Sequence, residues 1–398
     1  MFKKMKYSQN KTTQNSQKLY EYIYNNYPIS KSKLKNISGF TLTTLNRAMD
    51  LLLDENLIYI SNIGESNGGR KPALYSINPS AAYIIGIDIS RTYTKVTLMD
   101  LELNILKSAA FGMFAQNTPT YTFNKIYDIL QSFYKDLDKE KILGIGIGSV
   151  GPIDAKNGTI LNPSNFSAPG WENISITEYF KEKTGLVTIL ENGANAAVLG
   201  EHIKGAGKNT ANIAYIILGI GIRLGIMHDN KIFNNPNANE GAFGHITIDI
   251  NGKKCSCGKN GCLEAYVSIK SILDSFKEAI KSGKYSKLLE EIQYDLSQIN
   301  IDNFSNAVKN GDNLAIKIID AAADYLSTAI INLINIINSD LIILSGPLIN
   351  KCTELYDRTI IKTNKNLINK NIIFSKGTLN DDAIVIGAAS KVINYYLK

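Results

Sequence analysis

At 398 residues the chain is too long for one ordinary core, so two or three domains are expected. Its 44% hydrophobic and 20% charged residues are those of a soluble globular protein. The net charge of +7 sits almost wholly in the first eighty residues, which carry eleven Lys/Arg against five Asp/Glu; the rest of the chain is nearly neutral. The opening "MFKKMKYSQNKTTQNSQ" is basic and polar with no apolar run behind it, which excludes a secretory signal. No run approaches the roughly 18 apolar residues of a membrane span, and the richest, "TAIINLINIINSDLIILSG", is broken by Asn and Asp and reads as a buried helix followed by a strand. The expected location is the cytoplasm, where thiols stay reduced. A basic first fifth on a neutral body predicts an anionic partner there. A solvated, Lys-rich surface is the competing reading, and charge alone leaves it open.

In chain order, "NSQKLYEYIYNNYPIS" puts Leu19, Tyr22, Ile23 and Tyr27 on one helical face, and Pro28 ends that helix. Ser30 caps the next helix, "KSKLKNI", with Leu34 and Ile37 apolar. After the turn "SGF", Thr41 caps a third helix, whose buried stripe is Leu45, Ala48, Met49 and Leu52. Its opposite face carries Thr43, Thr44, Asn46, Arg47 and Asp50. A short helix, a glycine turn and a second helix with a small-polar and Arg face is the helix-turn-helix plan. Two strands follow, "LIYISNI" and "ALYSINP", separated by "GESNGGRKP". A hairpin after a helix-turn-helix makes a wing, with Gly68 and Gly69 freeing its tip and Arg70 and Lys71 standing there to reach phosphates or a narrow minor groove. Winged helices also bind protein; charge, helix polarity and wing arginine together favour double-stranded DNA.

The body alternates buried strands, glycine turns and helices. "AYIIGIDISRTYTKVTLMDLELNILKSA" reads as three strands, with Asp88 at the end of the first. "KILGIGIGSVGPID" is a buried strand entering a Gly-rich turn, and "TILENGANAAVLGE" is a strand entering a helix. "AYIILGIGIRLGIMHDNKIF" gives two strands about a glycine turn, "SDLIILSGPLI" a later strand and turn, and "DDAIVIGAASKVINYYL" a closing helix. This is an α/β body with a cleft between lobes.

Five stretches carry a resemblance to a known family: "YPISKSKLKNISGFTLTTLNRAMDLLLDENLI", "NGGRKPALYSINPSAAYIIGIDI", "GIGIGSVGPID", "ENGANAAVLGE" and "GHITIDINGKKCSCGKNGCLEAYVS". The chain resembles the ROK family of repressors, open reading frames and kinases, and from end to end its xylose-repressor-like transcription factors. The resemblance implies a winged helix over residues 1–79 followed by a two-lobed actin/sugar-kinase-like body. The first lobe would take residues 80–195 plus 383–398, and the second, with a cysteine loop, residues 196–382. The most specific match is the ten-residue step from His245 to Cys255 that opens the family's GH…CxCGxxGCxE pattern.

Cys255, Cys257 and Cys262 give three thiolates and His245 an imidazole, a Cys₃His set suited to tetrahedral Zn²⁺ at roughly 2.0–2.3 Å per ligand. Gly258 and Gly261 let the loop fold around an ion, and four protein ligands leave no open position, so the zinc is expected to be structural. A disulfide pair or a redox thiol explains neither the third cysteine nor the histidine. Cys352 stands alone and reads as a small buried apolar residue. His202 and His228 read as ordinary surface or packing residues. Trp171 reads as core, with an aromatic platform for a sugar as the alternative.

By the resemblance, the cysteine loop shapes a sugar cleft and Asn165, Asn192, His245 and Glu264 remain as its ligand residues. The departures are as informative. The family's Asn-Asp-x-Asn base reads "NGAN", so Gly193 stands where an aspartate would take the hydroxyl proton. Its first phosphate turn, Asp-x-Gly-Gly-Thr, keeps Asp88 but has Ser90 and Arg91 for the glycines. In the second, Ile220 replaces a threonine and Arg223 with Leu224 crowds the glycines. Its Glu-x-Gly-His reads "AFGH", with Ala242 for the glutamate. Each lost carboxylate removes a charge-assisted hydrogen bond of about 1.5–3 kcal/mol, so losing both, at Gly193 and Ala242, weakens a sugar by roughly 100-fold or more, and the pocket is left for a different sugar, a less polar ligand, or none. The reading is a sequence-specific repressor of carbohydrate-related genes, not an enzyme, with a small carbohydrate effector and a homodimeric or homotetrameric assembly on a palindromic operator. The alternatives are an ATP-dependent sugar kinase with an appended regulatory domain, and a winged helix that binds protein.

Overall fold

A computed structural model describes residues 2–63, 71–135, 137–163, 165–233, 242–367 and 371–398. A short helix absent from the sequence reading comes first, α1 (Phe2–Tyr7). The helix α2 (Lys11–Asn26) starts where the Asn10 side chain accepts from the Thr12 and Thr13 amides, and it stops two residues before Pro28. Its buried face is Ser16, Leu19, Tyr20 and Ile23; the expected Tyr22 and Tyr27 pack half-buried against the same core, and Tyr20 is buried more deeply than either. The reason is α1: Phe2 packs edge-on against the Tyr20 ring, with centroids 5.1 Å apart. Strand β1 (Ile29–Ser30) leads into α3 (Lys31–Ser38), capped by the Ser30 hydroxyl. Gly39 turns the chain at φ 66°, and Thr41 caps α4 (Leu42–Asp54), whose buried residues are the predicted Leu45, Ala48, Met49 and Leu52. Strands β2 (Ile58–Ile63) and β3 (Ala73–Ile77) pair antiparallel, and β1 adds to the other edge of β3. The expected wing hairpin is therefore present; its tip, with Gly68, Gly69 and Arg70, lies outside the described residues.

The first lobe is built on β4 (Tyr83–Ile89), β5 (Tyr93–Asp100), β6 (Ile105–Gly112), the helix α5 (Pro119–Tyr134) and β7 (Ile142–Ser149). The short strands β8 (Ile153–Asp154), β9 (Thr159–Ile160) and β10 (Ile174–Ser175) precede α6 (Ile176–Thr184) and β11 (Val187–Asn192). The sheet order is β11-β7-β4-β5-β6, with β5 and β6 antiparallel to their neighbours and β4, β7 and β11 mutually parallel. The alternation in "GIGIG" is a packing code. Ile145 and Ile147 enter the core shared with α5 and α6. The alternate face is glycine because a Cβ on Gly146 would stand 2.0 Å from the carbonyl oxygen of Ala388.

The helix α7 (Gly193–Lys204) follows, and then the plan repeats: β12 (Ile213–Leu218), β13 (Ile222–His228), β14 (Lys231–Ile232), the helices α8 (Glu264–Val267), α9 (Ile269–Lys281), α10 (Leu288–Glu291), α11 (Ile301–Lys309) and α12 (Asn313–Ile337), then β15 (Leu341–Ser345), α13 (Pro347–Lys351), α14 (Thr353–Asn366) and β16 (Ile373–Ser375). The second sheet, β14-β13-β12-β15-β16, has the same order and the same parallel and antiparallel pairings as the first. The helix α15 (Ala383–Leu397) then returns to the first sheet. A Cβ on Gly387 of α15 would lie 1.7 Å from the Ala196 carbonyl oxygen of α7, so the two helices cross in backbone contact. Gly225 of β13 meets Ala194 of α7 in the same way, at 2.2 Å. The boundary expected at residue 195 thus falls inside α7, one continuous helix against which both sheets pack.

Head and body share a core. Phe2, Met5, Tyr20, Leu52 and Ile77 form one buried cluster with Met99, Leu143, Ile393, Tyr396 and Leu397. The Tyr7 and Tyr395 hydroxyls meet at 2.7 Å, the Gln17 side chain donates to the Tyr396 carbonyl at 2.9 Å, and the Lys6 ammonium sits 4.1 Å above the Tyr395 ring.

Candidate functional site

The cysteine loop is a tight hairpin held by isolated bridges between Thr247 and Cys262 and between Lys254 and Asn260. Cys255 donates its amide to the Lys259 carbonyl, and Gly258 and Gly261 turn at φ 90° and 71°. His245 ends a short helical turn from Ala242. The loop is fixed to the lobe through Tyr266, whose ring stacks on Tyr325 at 4.0 Å and whose hydroxyl accepts from the Lys253 amide at 2.7 Å. This brings one nitrogen of His245 and the Sγ atoms of Cys255, Cys257 and Cys262 all within 4.8 Å of one another. Nδ1 of His245 is 3.7 Å from Sγ of Cys255, and Sγ of Cys257 is 3.7 Å from Sγ of Cys262. Four ligands at roughly 2.0–2.3 Å in a tetrahedron have edges of about 3.3–3.8 Å; both of these distances fall in that range, and the set could hold a metal ion. Without one, burial and then the hydrogen-bonded neighbouring thiols push the Cys262 thiol up to about 12. For Cys257, slight burial acts upward but is outweighed by the Lys259 amide, the two thiols and the Lys259 charge, and the net shift is down. Cys352 is fully buried in the second-lobe core, as an apolar residue would be.

Beside this loop, between the lobes, is a cavity of about 270 Å³. Of the four residues expected to hold a ligand, Asn192, His245 and Glu264 line it; Asn165 is exposed and lines the adjoining cavity, which shares Glu264. Asn192 also has a structural role, since its Oδ1 accepts from the Ala194 amide and caps α7. Glu264 is oriented by the Ile222 amide, which donates to its Oε2 at 3.0 Å. Trp171 is buried, stacks on Phe166 at 4.5 Å and donates to the Asn117 carbonyl, so it is core and not a platform. His202 stands 3.2 Å from the Thr210 carbonyl oxygen, and His228 is exposed beside Asp229; both are away from the cleft.

The geometry shows what replaced the missing groups. A Cβ on Gly193 would lie 3.2 Å from a terminal nitrogen of Arg223, whose guanidinium reaches in from β13. A Cβ on Gly221 would lie 3.1 Å from a terminal nitrogen of Arg91 and 2.9 Å from Oε2 of Glu264. Arg91 comes from the first lobe and Arg223 from the second, so the two side chains cross the cleft in opposite directions. Burial first, and then the neighbouring Arg223, lowers Arg91 to about 10; burial lowers Arg223, opposed by Asp88. Asp88 is buried with Oδ2 unpartnered, and burial raises its carboxyl to about 6 against the Tyr93 hydroxyl and Arg223. The inner cavity bounded by Ser90, Arg91, Tyr93, Ile220 and Gly346 holds only about 80 Å³. That is far below the roughly 300–1,000 Å³ of a site for a drug-sized ligand, and a nucleotide is larger still. Sequence reasoning marks Arg91 and Arg223 as intruders in glycine turns but does not place them in the cleft. Asn162 and Lys259 also line the larger cavity, and nothing in the sequence marks them.

On the head, Thr43, Arg47 and Lys71 are exposed. Thr44 is half-buried, its hydroxyl 2.9 Å from that of Thr41. Asn46 is half-buried too, with Oδ1 turned inward and unpartnered, so it faces outward only in part. Arg70 lies outside the described residues. Leu42, passed over in the sequence, is 56% exposed at the first turn of α4, where an apolar side chain can meet a thymine methyl.

Comparison with known proteins agrees with this architecture. The chain is 29% identical over 388 residues to the xylose repressor of Bacillus spizizenii, covering 96% of each chain. It is 29% identical over 311 residues to the glucokinase of Thermotoga maritima, covering 77% of this chain and 96% of that one. Among solved structures, a ROK family transcriptional regulator described as a homolog of the E. coli MLC protein superposes with a TM-score of 0.80 at 24% identity, over 96% of each chain. The family model for ROK matches residues 84–394, beginning at the first strand of the body. The chain belongs to the ROK family.

Proposed function

We propose that this protein is a DNA-binding transcriptional repressor of carbohydrate-related genes, with a cleft that senses a sugar-like effector and does not phosphorylate it. One observation carries the reading: a winged helix shares a core with a sugar-kinase-like body in which Arg223, not a carboxylate, occupies the space above Gly193. A kinase needs a base within reach of the sugar hydroxyl, and glycine offers none. The similarity to xylose repressors over 96% of the chain supports the same reading.

In this reading residues 1–79 are the reading head. Thr43, Thr44, Asn46 and Arg47 face the major groove; Arg70 and Lys71 reach the minor groove or phosphate. Two copies bind a palindromic operator in the cytoplasm, and a dimer or tetramer supplies the two-fold. Residues 80–195 with 383–398, and residues 196–382, are the two lobes. His245, Cys255, Cys257 and Cys262 hold a structural Zn²⁺, which would fix the loop that presents His245 and Glu264 to the ligand. Asn165, Asn192, His245 and Glu264 contact the effector. The effector acts only by favouring one arrangement of the heads over the other.

The test is selection of bound sites from random duplex DNA followed by band shifts, with and without monosaccharides. Arg47→Ala combined with Arg70→Ala is expected to abolish specific binding, and unchanged binding would refute the assignment. Turnover of ATP with any hexose or pentose well above background would refute the non-enzymatic part. Cys262→Ser is expected to lose about one equivalent of zinc per chain by elemental analysis.

A further inference from the structure

The outer face of α4 is short of the groups that a hydrogen-bonding reader of DNA would present. Its exposed side chains are Leu42, Thr43, Arg47, Asp50 and Asp54. The two acids stand in the second half of the helix. The first turn has none, and neither has the first turn of α3, where Lys33 and Lys35 are exposed. Carboxylates ordinarily stabilise a helix start, so their absence from both leaves the first half of α4 electropositive and matched to phosphate. The polar groups of that half are largely spent. The Thr44 hydroxyl lies 2.9 Å from that of Thr41, which also accepts from the Thr44 amide. Asn46 is half-buried with Oδ1 turned inward. Thr43 and Arg47 remain as outward hydrogen-bonding groups, and Leu42 stands with them, 56% exposed. Single exposed leucines are ordinary on a protein surface. This one sits at the end of the helix that enters the major groove in a helix-turn-helix. An apolar side chain has one base-specific partner there, the C5-methyl of thymine; the other groups that distinguish the base pairs are donors and acceptors. Against those groups a leucine strips water and returns no hydrogen bond, so it disfavours the other bases as well as favouring thymine.

We infer that Leu42 is a specificity-determining residue that packs on the 5-methyl group of a thymine in the major groove, so that this position of each half-site is read by apolar contact and not by hydrogen bonds. One methyl group buried against Leu42 corresponds to about fourfold in affinity. The inference rests on the DNA-reading role proposed above and adds to it one residue and the base that this residue selects.

The experiment takes the duplex that the full-length protein selects from random DNA and replaces its thymines one at a time by deoxyuridine, which removes the 5-methyl group and leaves every hydrogen-bonding atom in place. In band shifts, at least one replacement in each half-site is expected to weaken the wild type by about fourfold. Leu42→Ala is expected to bind the unmodified duplex about fourfold more weakly and to be indifferent to that same replacement within about twofold. The coupling between side chain and methyl group separates direct contact from a general loss of affinity, which would leave the deoxyuridine penalty in place. If no replacement weakens the wild type by more than about twofold, or if every penalty survives in Leu42→Ala, the inference is overturned while the DNA-reading role stands. If the wild type selects no duplex at all, the DNA-reading role falls and the inference with it.

Discussion

Gly193 shows how much a single missing side chain leaves behind. Restoring an aspartate there does not restore a base, because its Cβ would stand 3.2 Å from a terminal nitrogen of Arg223 and the carboxylate would pair with that guanidinium. Gly193→Asp is therefore expected to leave ATP turnover at background in a coupled assay, and to raise the melting temperature slightly through the new pair and the α7 N-terminus. Asp88 has the opposite problem, a carboxylate kept where burial lifts it to about 6. A carboxyl raised on folding binds more protons folded than unfolded between its ordinary value near 3.8 and about 6, so its contribution to stability declines as pH rises through that window. Asp88→Asn removes the titration. The stability of the variant minus that of the wild type, measured by urea denaturation, is expected to be more positive at pH 7.5 than at pH 4.5, by about 2 kcal/mol. Any fixed cost of the substitution cancels between the two pH values, and a difference that is flat with pH rejects the argument. Gly193, Ala242, Arg91 and the Cys₃His set are all legible in the sequence, because each is a residue type in a motif. The reach of Arg223 into the space over Gly193 is not. It depends on how closely α7 packs on β13, which no local pattern encodes. Asn46 departs in part from expectation for the same reason: helical spacing gives a face, not the depth to which a side chain sinks.

At the scale of elements, helices with strong caps and stripes are readable, α4 above all, and the body strands are readable from their apolar runs. Three features are not. The helix α1 is six residues, too short to show a period, and it buries Tyr20 fully while the expected Tyr22 stays at the edge of the head core. The run of helices from residue 264 to 309 is broken by turns and gives no long stripe. In β7 the glycines look like turn residues, whereas three of them form the flat face on which α15 and α7 lie. Gly146→Ala tests that account. Its Cβ would meet backbone, which cannot rotate away, so a loss of about 3 kcal/mol or more in urea denaturation is expected, large for a single methyl group. A loss under about 1 kcal/mol would mean that α15 can lift off the sheet.

At the scale of the molecule, α15 joins cleft to head. Its fifteen residues span about 22 Å. Near its start, Asp382 pairs with Lys95 at 2.6 Å and Ile384 lines the inner cavity; midway it crosses α7; at its end Tyr395, Tyr396 and Leu397 enter the head core. An element touching both sites offers one physical route for coupling between them. Gln17→Ala with Tyr395→Ala cuts the polar ties at the head end and leaves the DNA face intact. If the cleft senses an effector as proposed, the double variant is expected to bind operator within about threefold of wild type yet to lose most of the response to it, an effect of typically 1–3 kcal/mol in coupling. Band shifts with and without effector measure both quantities, and an undiminished response would show that the signal travels by another route.

The shared core also orders events during synthesis. Phe2 and Met5 leave the ribosome well before Ile393, Tyr396 and Leu397, which complete their cluster from nearly four hundred residues further along the chain. The head therefore waits with an open seam until the body has folded behind it. Nascent chains stalled before residue 383 are expected to show no operator retention, in contrast to the released polypeptide.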